Sequence, residues 1–118
     1  MSGLTFEVKS SLNEGAIKSD IEDGLKRAQA PLDAVVLADS NFFIPKKEGI
    51  LEKSSIIDTR LGSGQVVWTT PYAKTQYYGV NFNHSKQRNP NACAKWFEAA
   101  KARWLEKWTR LVNEYVKR

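Results

Sequence analysis

The 118-residue sequence predicts an α+β fold. Its parts are an N-terminal strand and helices, a small antiparallel sheet containing a β-hairpin, and a long C-terminal amphipathic helix. Three observations carry this reading. Phe97, Ala100, Trp104, Trp108, Leu111 and Tyr115 recur in steps of three and four, the spacing that keeps side chains on one helix face. A second stripe runs through Ile17, Ile21, Leu25, Ala28, Leu32, Val35, Asp39 and Phe42, with Asp39 its single polar member. Short segments with strand character flank these stripes and the glycines between them.

The elements follow in order. Leu4-Thr5-Phe6-Glu7-Val8-Lys9 alternates apolar and polar residues, as a half-buried strand does. Ser10-Ser11-Leu12-Asn13 supplies turn and cap residues before the first helical stripe. Pro31 falls inside that stripe. Because proline lacks a backbone donor and clashes with the preceding turn, two helical pieces sharing one face are expected, joined at Pro31 and ending at Phe43-Ile44-Pro45. Pro45 opens a loop that re-enters structure through Gly49 and reaches Leu51. Residues 51–59 read as a strand, Gly62-Ser63-Gly64 as a turn accepting positive φ, and 65–69 as the return strand of a hairpin. Residues 71–78 form a short helix entered at Pro71 and stopped by Gly79. Residues 81–91 are polar and rich in turn formers, a mobile loop. The final helix spans 92–117.

At this length the chain is a single domain, 1–118, with one ordinary core. It is 42% hydrophobic and 26% charged, a globular composition with no apolar run long enough for a bilayer. The N-terminus lacks the basic and apolar regions of a signal peptide. A lone cysteine, Cys93, excludes an intrachain disulfide framework and suits a reducing cytoplasm. Charge is uneven: residues 1–60 hold eight Lys/Arg against ten Asp/Glu, whereas 61–118 hold ten against three. The second half is therefore able to face a polyanion or an acidic protein surface, or simply to be a solvated helix face.

No catalytic or cofactor constellation stands out. His84 and Cys93 are too few for a metal site, which needs three or four convergent ligands. Cys93 reads as structural. Ser63 sits between two glycines in a strand–turn–strand context, which is not a nucleophile elbow. Gly62 and Gly64 match neither a Walker loop nor a dinucleotide fingerprint. Asp20, Glu22 and Asp23 look like a solvated face. Trp104 and Trp108, one helical turn apart, read as core, with the basic residues of that helix on its other side. Neither an enzyme nor a cofactor is expected.

The densest feature is Thr69-Thr70-Pro71-Tyr72-Ala73-Lys74-Thr75-Gln76-Tyr77-Tyr78-Gly79. Tyrosine offers area to bury and a hydroxyl that needs water or a partner, which is why it is frequent at protein interfaces. Tyr72, Lys74, Gln76, Tyr77 and Tyr78 are the candidate interface, with Pro71 and Gly79 setting its ends. At least one tyrosine is expected at a subunit contact.

Taken in order, several motifs resemble one family. They begin with Asp39-Ser40-Asn41-Phe42-Phe43-Ile44-Pro45, followed by the series Pro45, Gly49, Ile50-Leu51 and Ser54. Val66-Val67-Trp68-Thr69-Thr70-Pro71-Tyr72-Ala73 with Gln76-Tyr77-Tyr78-Gly79 is the most specific. Asn89-Pro90, then Ala94-Lys95-Trp96-Phe97-Glu98-Ala99-Ala100-Lys101, with Trp104 and Trp108 beyond, complete it. Spanning residues 35–110, they resemble the minor capsid proteins of long-tailed bacteriophages and prophages, and the wider neck or tail-completion family. The resemblance implies a structural virion protein at the head–tail junction, made in the bacterial host cytoplasm and without catalysis. It also implies other connector or tail proteins as partners and a homo-oligomeric ring around the DNA channel, built from subunits able to stay monomeric in isolation. Non-specific contact with packaged DNA fits the basic half; membrane contact does not. The alternative is a small sequence-independent nucleic-acid-binding protein using that basic half.

Overall fold

The computed structural model describes residues 3–8, 19–45, 49–79 and 91–116. The Ser10–Asn13 turn, Ile17, His84, Pro90 and nearly all of the 81–91 loop lie outside them, as does the Ile21 side chain. The elements are β1 (Leu4–Glu7), α1 (Ser19–Phe42), α2 (Ile50–Asp58), β2 (Gln65–Trp68), α3 (Ala73–Tyr78) and α4 (Trp96–Val116). The fold is helix-rich α+β, with a small antiparallel sheet and a long C-terminal helix.

β1 and β2 pair antiparallel, with Leu4 opposite Trp68 and Phe6 opposite Val66. Among the described residues this sheet has two strands, drawn from distant parts of the chain. The expected hairpin does not form: residues 50–58 are helical. Gly49, at φ 73°, caps this helix in the left-handed conformation, and its carbonyl accepts the Lys53 N–H at 3.0 Å. Ser54 and Ser55 donate their hydroxyls to the carbonyls of Leu51 and Glu52, both at 2.7 Å, satisfying themselves within the helix. Ile56 and Ile57, within the segment read as a strand, are exposed on this helix.

α2 nonetheless occupies the place of a third strand beside β2. The Val67 N–H donates to the Thr59 hydroxyl at 3.0 Å, and the Thr69 N–H donates to the Ser54 hydroxyl at 3.1 Å. The Thr69 hydroxyl donates in turn to Asp58. Two alternate amides, one in β2 and one just past it, are thereby satisfied by side chains of α2 and its C-cap, and this edge is capped rather than left as a template for pairing.

α1 is one helix that runs through Pro31, not two pieces. The amide that proline lacks would have bonded to Arg27, which is solvent-exposed, so water is able to satisfy that carbonyl. Leu25, Ala28, Leu32 and Val36 on both sides of Pro31 are buried, and α1 packs chiefly against α4. Tertiary packing holds the helix across its weakest position. The helices come close at Gly24, where a Cβ would lie 2.9 Å from the Tyr115 carbonyl oxygen and the Val116 Cα.

The core is aromatic. Trp68, Trp96 and Tyr77 are its largest fully buried side chains. Trp96 stands edge-on to Trp68 (5.8 Å between centroids) and to Tyr77 (4.7 Å). Phe6 of β1 contacts Trp68 and Tyr77 and stacks on Phe97 at 4.5 Å. α4 is interrupted at Trp104 (φ −124°, ψ 15°), and the indole meets Phe42 and Phe43 at the end of α1.

Candidate interface on the tyrosine segment

The tyrosine segment begins as a turn. The Ala73 N–H donates to the Thr70 carbonyl at 3.1 Å, with Pro71 at the second position, where its fixed φ suits the turn. Pro71 thus precedes the helix and does not form its first turn. Tyr72 then takes the N-cap position, and its carbonyl accepts the Gln76 N–H at 3.0 Å. At the far end Gly79 has φ −84° and ψ 75°, so the stop it provides does not use a left-handed conformation.

Ala73 and Tyr77 lie four positions apart, share the inner face of α3 and are both fully buried. The Tyr77 carbonyl accepts the Lys95 N–H at 2.8 Å, and its hydroxyl accepts the Glu98 N–H at 3.4 Å. Lys95 reaches this contact with φ 54°, a left-handed conformation directly before α4. The chain from 92 to 95 therefore leads into α4, which starts at Trp96 and not at Ala92. Tyr77 ties α3 to α4 from inside the subunit, which corrects its place in the candidate interface: no face of it is available to a partner.

The outer face is different. Tyr72 is 72% exposed and Tyr78 58% exposed, with Lys74 and Thr75 exposed between them and Gln76 half-buried. Two large amphipathic side chains stand in water on a short helix that is pinned on its other side.

The landmark residues of the sequence have structural places. Pro45 is buried at the end of the α1 exit, Leu51 packs against the core, and Trp68, Trp96 and Trp108 are buried. Trp108 donates its indole N–H to Asp39 at 2.7 Å, and Lys107 bridges the same carboxylate at 2.8 Å. The polar break in the first stripe is thus a contact between α1 and α4. Lys107 and Arg103 also lie over the Trp104 ring, at 5.1 and 5.0 Å from its centroid. Part of the basic side of α4 therefore folds onto the half-buried Trp104.

Two polar residues that the helical pattern did not single out organise the interior. Asp33 is fully buried. One carboxylate oxygen accepts the N–H groups of Gly62 (2.8 Å) and Gly64 (3.0 Å), and the other accepts the Gln29 side-chain amide at 2.9 Å. Gly62 and Gly64 do have positive φ, 97° and 79°, but in a loop wrapped around this carboxylate and not in a hairpin turn. Asn41 donates to the Ser55 hydroxyl and accepts the Trp68 indole N–H, both at 3.0 Å, joining α1, α2 and β2. These groups are spent on holding the subunit together. Among the described residues no three His, Cys, Asp or Glu side chains converge as a metal set, and no helix is long and apolar enough to cross a membrane.

The sequence model of the family described as "Minor capsid protein" matches residues 8–115, almost the whole chain. The chain belongs to this minor capsid protein family. No curated protein and no solved structure matches it. As a minor capsid protein it is a structural component of a phage, with the virion as its place and other virion proteins as the molecules it meets. The match runs from just past β1 to the last turn of α4 and includes the tyrosine segment.

Proposed function

We propose that this minor capsid protein acts at the head–tail junction of a tailed phage or prophage, as a connector, neck or tail-completion subunit that assembles by protein–protein packing and performs no catalysis. The observation that carries the proposal is the pair Tyr72 and Tyr78, held in solvent on a helix whose inner face is fixed by buried Tyr77. A rigid element presenting exposed aromatic rings loses little side-chain entropy on docking, so the contact is pre-organised. Copies arranged head to tail around the portal axis form a ring when the rotation between them closes. The family membership gives the virion setting, and the resemblance of the motif series to neck and tail-completion proteins supports this position within it.

The test is localisation. Virions carrying an epitope-tagged copy are imaged by electron microscopy with a gold-labelled antibody. Label at the neck between head and tail is the expected result; label spread over the head shell or absent from particles contradicts the proposal.

A further inference from the structure

The two edges of the sheet are finished differently. On the β2 side, the N–H groups of Val67 and Thr69 point away from β1 and are taken by the hydroxyls of Thr59 and Ser54. In an antiparallel pair the direction of hydrogen bonding alternates along each strand. Thr5 lies opposite Val67, so its N–H and C=O point away from β2, and those of Glu7 do the same. Val8 keeps the alternation, donating its N–H inward to the Gly64 carbonyl. Thr5 and Glu7 are both exposed, and among the described residues their outward backbone groups meet no partner.

A groove of about 260 Å³ opens beside the end of β1. Glu7 and Val8 border it from the strand, and Phe97, Lys101, Leu105 and Val112 from α4, but no residue of β2 does. Leu105 is 50% exposed there. An open strand edge next to a partly apolar groove is the arrangement that accepts an added strand. Backbone groups pair along the edge, and an inward side chain fills the groove.

Which chain supplies that strand follows from what a second copy offers. Among the described residues its β2 edge is already closed, and its β1 edge pairs with another β1 only across a two-fold axis. Such an isologous contact closes on itself and does not propagate around a ring. We infer that the Thr5–Glu7 edge of β1 accepts an extended segment of a different virion protein, with one apolar side chain seated in the groove between β1 and α4. The inference rests on the assembly reading above and adds to it an acceptor for a neighbour of another kind. The segment alternates inward apolar residues with outward polar ones and has no proline at its bonded positions. Because β1 spans only four residues, the contact is short and forms when the particle holds its partner nearby.

Photo-cross-linking in particles tests this. Phage lacking the gene is complemented with chains carrying benzoylphenylalanine at position 5 or at position 7, and purified particles are irradiated. The inference predicts cross-links from both positions to one other virion protein, about two residues apart in a single segment, as paired strands require. Thr5→Pro removes an outward N–H that the subunit does not use, a change that an edge strand tolerates. This variant is expected to unfold at the parent's urea midpoint yet to lose cross-linking from position 7, while Thr5→Ala keeps it. If Thr5→Pro fails to fold, the two mapped positions decide alone. Cross-links to a second copy of this chain overturn the inference, as do cross-links scattered over several proteins. So does undiminished cross-linking from position 7 in a folded Thr5→Pro chain. Labelled chains that reach the neck and give no cross-link overturn it and leave the head–tail reading standing. Absence of the parent chain from the neck removes that reading and this inference together.

Discussion

Tyr77 and Tyr78 are neighbours in sequence and meet edge to face at 5.0 Å, yet one is wholly buried and the other is 58% exposed. The division follows from helix geometry. Tyr77 shares a face with Ala73, four positions earlier, and Tyr78 is rotated about 100° away from it. One tyrosine builds the subunit and the next is left for a neighbour.

That division predicts opposite phenotypes. Tyr77→Ala removes a ring packed on Phe6 and Trp96, and is expected to cost about 3–5 kcal/mol, as other large aromatic truncations in cores do. Tyr77→Phe keeps the packing and loses only a long hydrogen bond from Glu98, so about 1 kcal/mol or less is expected. Tyr78→Ala and Tyr72→Ala remain within about 0.5 kcal/mol of the parent. Urea denaturation of the isolated subunit measures all four.

Asp33 predicts a strong loop dependence. Asp33→Ala strands the Gly62 and Gly64 N–H groups in a buried site, an expected loss of about 2–3 kcal/mol or more. Asp33→Asn retains one acceptor and falls between Ala and the parent. Hydrogen exchange checks the mechanism: the Gly62 and Gly64 amides lose protection in Asp33→Ala, while those of the α4 core keep theirs relative to global stability.

Gly24→Ala is expected to destabilise despite the better helix propensity of alanine. Propensity favours the change by about 1 kcal/mol. The added Cβ would meet the α4 backbone at 2.9 Å, and moving backbone costs about 1–3 kcal/mol. A lowered thermal midpoint is the predicted result; a raised one means that α4 shifts without cost.

At the α1–α4 contact, Asp39→Ala leaves the Trp108 indole N–H without its acceptor and is expected to cost about 1–3 kcal/mol. Asp39→Asn preserves an acceptor and costs less. Lys107→Ala removes a partly exposed ion pair worth at most about 1 kcal/mol. The difference between the Lys107 variant and the parent shrinks as salt is raised, whereas the Asp39→Ala deficit persists.

How far the sequence could be read depends on what each residue faces. Both long helices were legible because Leu25, Ala28 and Leu32 in one, and Ala100 and Trp108 in the other, face each other across one apolar seam. The first stripe misjudged its second half. There α1 is covered by α4 on one side and by α2 and β2 on another, so Val36, Leu37, Ser40 and Asn41 are buried while Val35 is only partly so. α2 was misread because Ile56-Ile57 is an exposed pair, and exposure cannot be inferred from hydropathy. Gly62 and Gly64 correctly signalled positive φ, but a turn signal does not reveal that a carboxylate 29 positions earlier sits at its centre. Helical spacing gave no hint of Asp33 either, since a buried acid looks like a surface acid until its donors are located. The tyrosines carried a usable clue in the four-residue step from Ala73 to Tyr77, which separates core from surface once residues 73–78 are taken as helix.

The most direct measurement compares assembly with folding for one variant. A phage lacking the gene is complemented with the Tyr72→Ala, Tyr78→Ala double variant, and particles are counted by electron microscopy while the purified subunit is unfolded in urea. The account predicts a subunit within about 1 kcal/mol of the parent, together with separate heads and tails in place of joined virions. Normal yields of tailed particles from a variant that folds normally would contradict it.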